Sequence, residues 1–565
     1  MRKEKNAGLI TFALSWVGKK NKKILDKAAK NCAKTEEATL RGILEYAKDS
    51  EWGKLHDFET ILKAKSADEL YALYQKNVPL QDYEDLRPYI ERHKKGEENV
   101  LFPGKPMMYA TTSGTTKEPK WIPITHAYYN NIFSKMSKLW LYTFIMHRPK
   151  TFWGKCVSIV GKSIEGYAAD GTVCGSVSGV TQRDCPEFIK GLYSAPSEVF
   201  AIKDYTARYY ALMRTGIEQN VTLLITANPS TIIELQKNVD AYLDDYIDDI
   251  EHGTLSAKMN IEPENRAALE KCYKPNPKRA AELKALKEKL GRLLPKDYWP
   301  NLQTLTTWKC GNTRVYMDKI KGFFPESALH QEFGYFASEC RAGLVMNGGD
   351  DTVLFPHNHY FEFIDADEME SENPKFFQLS QLQKGKRYIV YVTTYGGLYR
   401  YNMNDMVECT GHYGSIPTIQ FIQKINGIVS MTGEKVHEKQ FIDAVTETEK
   451  EMGEKLQFFV GFADLQESVY HFYFEFQKSG LSQDFCDAFT SAVDQKLKAE
   501  NVEYATKRDS FRLKEPVGRM LVENSFEKYK ALMIQNGARD GQFKMNLLMQ
   551  DDKRHEHFKK LVING

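Results

Sequence analysis

The chain has 565 residues, beyond the size at which a single hydrophobic core keeps growing, so two or more domains are expected. Hydrophobic residues make up 42% and charged residues 27%, ordinary for a soluble globular protein, while 12% aromatics suggests large cores or pockets. The 77 Lys and Arg nearly balance the 75 Asp and Glu, which gives no reason for a polyanionic partner such as nucleic acid. At the N-terminus, Arg2, Lys3 and Lys5 precede an apolar stretch from Ala7 to Gly18 that loosely imitates a signal peptide. It runs into KKNKK without a small-residue cleavage site and is too short to span a bilayer. Leu9, Ile10, Phe12, Ala13 and Trp16 fit one helical face, so a helix docked on the body is expected, with no membrane partner.

Residues 1 to about 97 read as helical, and Tyr83–Tyr89 leads into the charged turn HKKGEEN. From Leu101 short apolar runs alternate with helical segments: CVSIVG and VTLLITANPS read as buried strands and ARYYALMRTG as a helix, the texture of an α/β body. Residues 236–296 read as a solvated helical hairpin. Strands return as TLTTWKCG, ALHQEFGYFASEC, HYFEFID and RYIVYVTTYGGLYRY, the last a hairpin with a Gly-Gly turn. Toward the C-terminus FFVGFAD and VYHFYFEF read as paired strands, SQDFCDAFTSAVDQKLKAE as a helix, FRLKEPV as a strand and SFEKYKALMIQNG as a helix. The division expected is 1–428 and 429–565, a large α/β N-terminal domain with β-sheets and flanking helices and a smaller α+β C-terminal domain. Nine cysteines, from Cys32 to Cys486, include no CxxC pair and no zinc spacing, as expected for reduced thiols in a cytoplasmic protein.

Three segments carry chemistry. YATTSGTTKEPKWIPIT, Tyr109–Thr125, packs five hydroxyl residues and a glycine ahead of Lys117 and Lys120. Hydroxyls, glycine-freed N–H groups and a lysine make a phosphate cradle, although the Walker spacing GxxxxGK[ST] is absent. In EFGYFASEC, Tyr335 could stack on a base and Glu339 could help hold magnesium. In GLYRYNMNDMVECTG, Asp405 follows a tight turn and could bridge two ribose hydroxyls. Taken singly, each also fits a structural reading: a polar surface turn, a core aromatic beside a surface acid, and a turn aspartate.

Together and in order, these segments resemble the superfamily of acyl-CoA synthetases, peptide-synthetase adenylation domains and firefly luciferase. More narrowly, YATTSGTT, YFASEC, HYFEFI, GLYRYNMND, FIQKINGIVSMTGEKVHE and NGARDGQFK resemble the Gretchen Hagen, auxin-responsive family of acyl-acid amido synthetases, over about residues 100–545. The resemblance implies an adenylate-forming domain followed by a mobile lid. It implies an ATP- and Mg2+-dependent ligase that converts a carboxylic acid to an acyl-adenylate and then, with an amine such as an amino acid, to an amide. By the same resemblance Thr112, Ser113 and Thr115 contact ATP phosphates, Tyr335 and Ser338 belong to the nucleotide site, Asp405 binds ribose and Glu339 serves magnesium. Lys435, and Lys544 on the lid, act near the phosphates. Lysines and a cation offset the repulsion between a carboxylate and a polyphosphate most in the transition state.

Three positions depart from the family pattern. The glycine of the ribose motif is Asn404, the arginine near the hinge is Lys424, and the Gly-Ser-Met segment of the acyl pocket is replaced by Trp308–Gly311, so an acid outside the plant-hormone set is expected. Two other readings compete: a ligase that forms a coenzyme A thioester, and a nucleotide-binding protein without catalysis. The acid, the amine, the pathway and the oligomeric state are not legible.

Overall fold

The computed structural model describes residues 7–112, 120–159, 163–183, 187–310, 313, 315–368, 371, 373–425, 428–526, 528–529, 532 and 547–563. The chain divides into two compact units, one of residues 1–111 and 121–423, the other of 112–120 and 424–565. The second unit thus combines the C-terminal part of the chain from Lys424 with residues 112–120.

The first unit opens with helices, as their 3.6-residue apolar spacing requires. Ala7–Ala28 buries Ile10, Leu14, Leu25 and Ala28. This corrects the expected docking face: Leu9, Phe12 and Trp16 point away from the body and are 67%, 69% and 66% exposed. The inner stripe is selected by a close helix crossing, because a Cβ on Gly18 would lie 2.2 Å from the Cβ of Tyr142 in helix Ser134–His147. The next helix, Cys32–Ala47, carries the fully buried Glu36, whose carboxylate accepts the N–H groups of Leu379 at 2.6 Å and Ser380 at 3.1 Å. Burial pushes this carboxyl up to about 7 despite those bonds. The folded protein therefore holds a proton that the unfolded chain releases near its ordinary value, and this contribution to stability is lost as pH rises toward and through 7. Between pH 5 and 8 the wild type is expected to lose about 1–3 kcal/mol relative to Glu36→Gln. Parallel thermal-melt series of the two proteins would show it as diverging midpoints.

Two sheets dominate the first unit. One is parallel and built in chain order from Lys155–Ser158, Val221–Ile225, Thr304–Thr307 and Leu329–Glu332, with Leu224 opposite Leu305 and Leu305 opposite His330. Intervening helices cross over it, as parallel strands require. The other has seven strands in the order Phe376–Gln378, Tyr360–Asp365, Arg387–Thr393, Tyr401–Tyr413, Ile416–Lys424, Thr352–Leu354 and Gly343–Val345. Its hairpin Arg387–Thr393/Tyr401–Tyr413 is the one expected from sequence.

The segment expected as a solvated hairpin is partly core. Helix Ser230–His252 buries Leu235, Val239, Tyr246, Ile247 and Ile250, and Tyr246 stacks on Tyr210 of helix Tyr205–Glu218 with centroids 4.3 Å apart. The acidic residues that suggested solvation, Asp240, Asp244 and Asp248, occupy the opposite, exposed side.

In the second unit, Leu456–Asp464 and Val469–Phe476 pair antiparallel as expected, flanked in parallel by Leu548–Met549 and Val517–Met520. Helices Glu438–Met452 and Gln483–Glu500 contribute Phe441, Phe489 and Val493 to its core. FRLKEPV is not a strand: Phe511 takes a positive φ of 59°, and the strand begins only at Val517. The helix expected from SFEKYKALMIQNG lies partly outside the described residues.

Candidate functional site

In open α/β sheets, ligands collect where the parallel strands end. The strand read across ALHQEFGYFASEC stops at Glu332, and the rest of the motif is turn. The buried Glu332 carboxylate accepts the N–H of Lys309 at 2.5 Å and of Gly334 at 3.2 Å, tying together the loops that follow two neighbouring strands. Burial raises this carboxyl to about 7, and Asp350 adds to the rise against those two bonds. Trp308 Nε1 donates to the Gly334 carbonyl at 3.2 Å. Gly334 has φ +102°, and a Cβ there would sit 2.7 Å from the Gly343 carbonyl oxygen, so only glycine fits.

That turn delivers Tyr335. Its hydroxyl donates to Asp405 Oδ2 at 2.5 Å, joining two of the residues singled out in the sequence. Both are buried, Tyr335 at 8% exposure and Asp405 at 2%, so little of the tyrosine ring is open as a stacking face. Burial first, and then the Asp405 charge, hold the phenol well above its ordinary value, and it remains a donor. A tight turn follows. Phe336 pairs with Arg341, and Ala337 N–H donates to the Cys340 carbonyl at 2.9 Å, so Ser338 and Glu339 form its tip. The Glu339 charge helps raise Tyr128, Tyr335 and Tyr401, which places it among these phenols. Among the described residues no group of three His, Cys, Asp or Glu gathers to hold a metal.

In the second unit, Glu434 is fully buried and accepts the N–H groups of Met431 and Thr432, both at 2.8 Å, and the Tyr470 hydroxyl at 3.0 Å. Asn501 Nδ2 donates to the Lys435 carbonyl at 2.7 Å. The Lys435 carbonyl is thus held directly after the turn that Glu434 braces, and the Lys435 ammonium lies 3.7 Å from Glu503. His437 is held down at about 4, by burial first and then by Lys120, Lys435 and Lys424. Lys120, the end of the hydroxyl-rich loop, thus shares a cationic neighbourhood with Lys435 and Lys424. Thr112 ends the strand Met108–Thr112, while Ser113, Thr115 and Lys544 lie outside the described residues.

Sequence models of one family match the chain in order: the GH3 family N-terminal domain over residues 21–329, the GH3 family central domain over 352–424 and the GH3 family C-terminal domain over 439–553. The chain belongs to the GH3 family. The relative jasmonoyl--L-amino acid synthetase JAR4 of Nicotiana attenuata is 26% identical over 456 residues, covering 76% of this chain and 75% of that protein. Indole-3-acetic acid-amido synthetase GH3.3 of Arabidopsis thaliana is 22% identical, with 77% and 74% covered. The solved structure of GH3.15 acyl acid amido synthetase matches with a TM-score of 0.62 at 20% identity over 96% of both chains, which establishes a shared fold.

One departure of this GH3 chain from its family pattern has a direct structural reading. Asn404, at the position where the resemblance leads one to expect glycine, adopts φ +55°, at an irregularity in the pairing of its strand: Ile389 pairs with Met406, but Tyr391 with Asn402. Asparagine tolerates the left-handed region better than other side chains, so the turn into Asp405 survives the replacement. Asn404→Gly is expected to be neutral or slightly stabilising, whereas Asn404→Val should cost about 1–2 kcal/mol. Thermal melts of the two variants, with the KM for ATP measured alongside, would check this.

The sequence reading missed Arg341. Its guanidinium lies 3.7 Å from the Phe133 ring centroid and 4.6 Å from that of Phe336, and Nη1 donates to Ser137 Oγ at 3.1 Å. No carboxylate pairs with it among the described residues, and burial draws it down to about 10. Phe336 also packs on Trp140 and Phe333, and Phe333 on Trp308. The signal available in sequence was an arginine directly after the YFASEC motif.

Proposed function

We propose that this GH3 protein is an ATP-dependent acyl acid amido synthetase that joins a carboxylic acid to an amine, most simply that of an amino acid. The observation that carries the reading is the ordered match of all three GH3 domains along the chain. In the first half-reaction a carboxylate oxygen of the acid bonds to the α-phosphorus of ATP and the bond to the β-phosphate breaks, releasing pyrophosphate. In the second, the amine nitrogen bonds to the acyl carbon and loses a proton, and AMP leaves with the electron pair.

Asp405 holds the ribose, and Tyr335 orients Asp405 while bordering the base. Thr112, Ser113 and Thr115 take the phosphates, with Ser338 beside them. Lys435 and Lys544 offset the developing negative charge. Glu339 would hold magnesium, which when bound would supply further charge neutralisation. Residues 1–428 form the adenylation domain and 429–565 the lid. The substrates are small molecules, and the site of action is the cytoplasm. In support of the latter, the eight described cysteines are all free, and no described helix is long and apolar enough to cross a membrane.

The acid lies against Trp140, Phe333 and Phe336, with a carboxylate facing Arg341. A partly buried guanidinium with no acidic partner among the described residues favours an incoming anion. Arg341→Met is expected to raise the KM for the acid about 10- to 100-fold, the worth of a hydrogen bond to a charged group. The KM for ATP should stay within about twofold. Equal changes in both constants would remove Arg341 from the acid site.

The test of the function is pyrophosphate release with ATP and magnesium across a panel of carboxylic acids, with amino acids or coenzyme A added in turn. Acid-dependent release with an amide product supports the proposal. A thioester formed only with coenzyme A would make the protein a thioester-forming ligase. ATP binding without release from any acid would leave a nucleotide-binding protein.

A further inference from the structure

The outer face of the N-terminal helix has no role in the proposed reaction. Its inner stripe is committed to the body through Ile10, Leu14, Gly18 and Leu25, and Asn21 Nδ2 donates to the Lys135 carbonyl at 3.0 Å. The helix is therefore held with Leu9, Phe12 and Trp16 facing solvent, each about two-thirds exposed. At 100° per residue these three fall on one line, and Lys19, Lys20, Lys23 and Lys27, all exposed, continue it toward the helix C-terminus. The first thirty residues carry nine Lys and Arg against two Asp and Glu, while the rest of the chain carries more acid than base. A large apolar triad, one member a tryptophan, followed on the same stripe by lysines is the pattern of a helix lying in a membrane–water interface.

We propose that this helix face seats the protein on an anionic lipid surface, with Leu9, Phe12 and Trp16 entering the boundary between headgroups and acyl chains and Lys19, Lys20, Lys23 and Lys27 facing the anionic headgroups. This is peripheral attachment and requires no transmembrane segment. It revises the expectation, drawn from the apolar spacing alone, that the whole apolar set of this helix is spent on the body. Charge decides among occupants. A second copy would bring two lysine rows together, and like charges at close range are repulsive. A nucleic acid would engage the lysines and leave the apolar triad in water. Anionic lipid satisfies both halves of the face, with an electrostatic part that salt screens.

The test is co-sedimentation of the full-length protein with phosphatidylcholine vesicles and with vesicles containing about one quarter phosphatidylglycerol, at low and high salt. At least tenfold tighter partitioning onto the anionic vesicles, weakened by salt, is expected. Leu9→Ser/Phe12→Ser/Trp16→Ser and, separately, Lys19→Glu/Lys20→Glu/Lys23→Glu should each reduce binding at least tenfold. Their circular dichroism and acid-dependent pyrophosphate release should be unchanged, because none of these residues belongs to the proposed site. Equal partitioning onto both vesicle types, or binding that neither variant alters, overturns the proposal. So does a concentration-dependent dimer in solution that the triple serine variant abolishes, since a second copy would then occupy the face.

Discussion

Replacing Lys435 by alanine is expected to lower the maximal rate of acid-dependent pyrophosphate release about 100- to 1000-fold, with a much smaller change in the KM for ATP. The magnitude is that of removing one preorganised donor from a site where negative charge develops. Lys435 is preorganised in this sense. Glu434 ties down the preceding turn, Asn501 holds the Lys435 carbonyl, and the neighbouring cations Lys120 and Lys424 are close enough to help keep His437 neutral. A lysine whose backbone is already fixed loses little entropy on meeting an anion. Lys435→Arg should restore part of the rate, because it keeps the charge but alters the geometry. Glu434→Gln offers a second handle, since it leaves Lys435 in place while weakening the turn beneath it. An intermediate rate loss with a lower melting temperature is expected there. A Lys435→Ala enzyme with wild-type turnover and a raised KM for ATP would mean that the side chain binds ground-state phosphate and does nothing more.

The second large effect is expected at Asp405. Asp405→Ala should raise the KM for ATP about 100-fold or more, through loss of both ribose contacts, and should destabilise the first unit by about 1–3 kcal/mol because the buried Tyr335 hydroxyl loses its acceptor. Asp405→Asn separates the two roles. Its amide oxygen can still accept from Tyr335, so the melting temperature should stay near that of the wild type, whereas the missing charge and acceptor should still weaken ATP about tenfold. The pair of variants, measured by KM and thermal melt, assigns the aspartate. An Asp405→Asn protein that binds ATP as tightly as the wild type would show that the carboxylate serves only to hold Tyr335.

Sequence order alone carried the chemistry that is local to a motif. The hydroxyl-rich loop, the segment around Ser338 and Glu339 and the aspartate after Asn404 could be proposed from sequence because each reading depends on a few adjacent side chains. Most elements were legible for the same reason: apolar period 3.6 gives Ala7–Ala28, and alternation gives Arg387–Thr393 and Val469–Phe476. FRLKEPV failed because its short apolar pattern does not report the left-handed Phe511, a conformation set by packing. The division of the chain at Lys424 likewise follows long-range packing rather than composition.

Only the tertiary structure decided which groups meet. Tyr335 and Asp405 are seventy residues apart and share a hydrogen bond because the turn after strand Leu329–Glu332 reaches strand Tyr401–Tyr413. Arg341 stands out only once Phe133, from a distant helix, lies over its guanidinium with no carboxylate pairing to it among the described residues. Acidic residues made the Ser230–His252 helix look solvated, yet its other side is core, because a helix can present opposite chemistries on opposite faces. On the N-terminal helix the residues read from sequence as one face divide in the structure, Ile10 going with Leu14 into the core and Leu9, Phe12 and Trp16 to the exposed side. Periodicity determines that a helix forms there, but the side that is buried was fixed by Gly18, which lets the backbone approach Tyr142 closely along one stripe only.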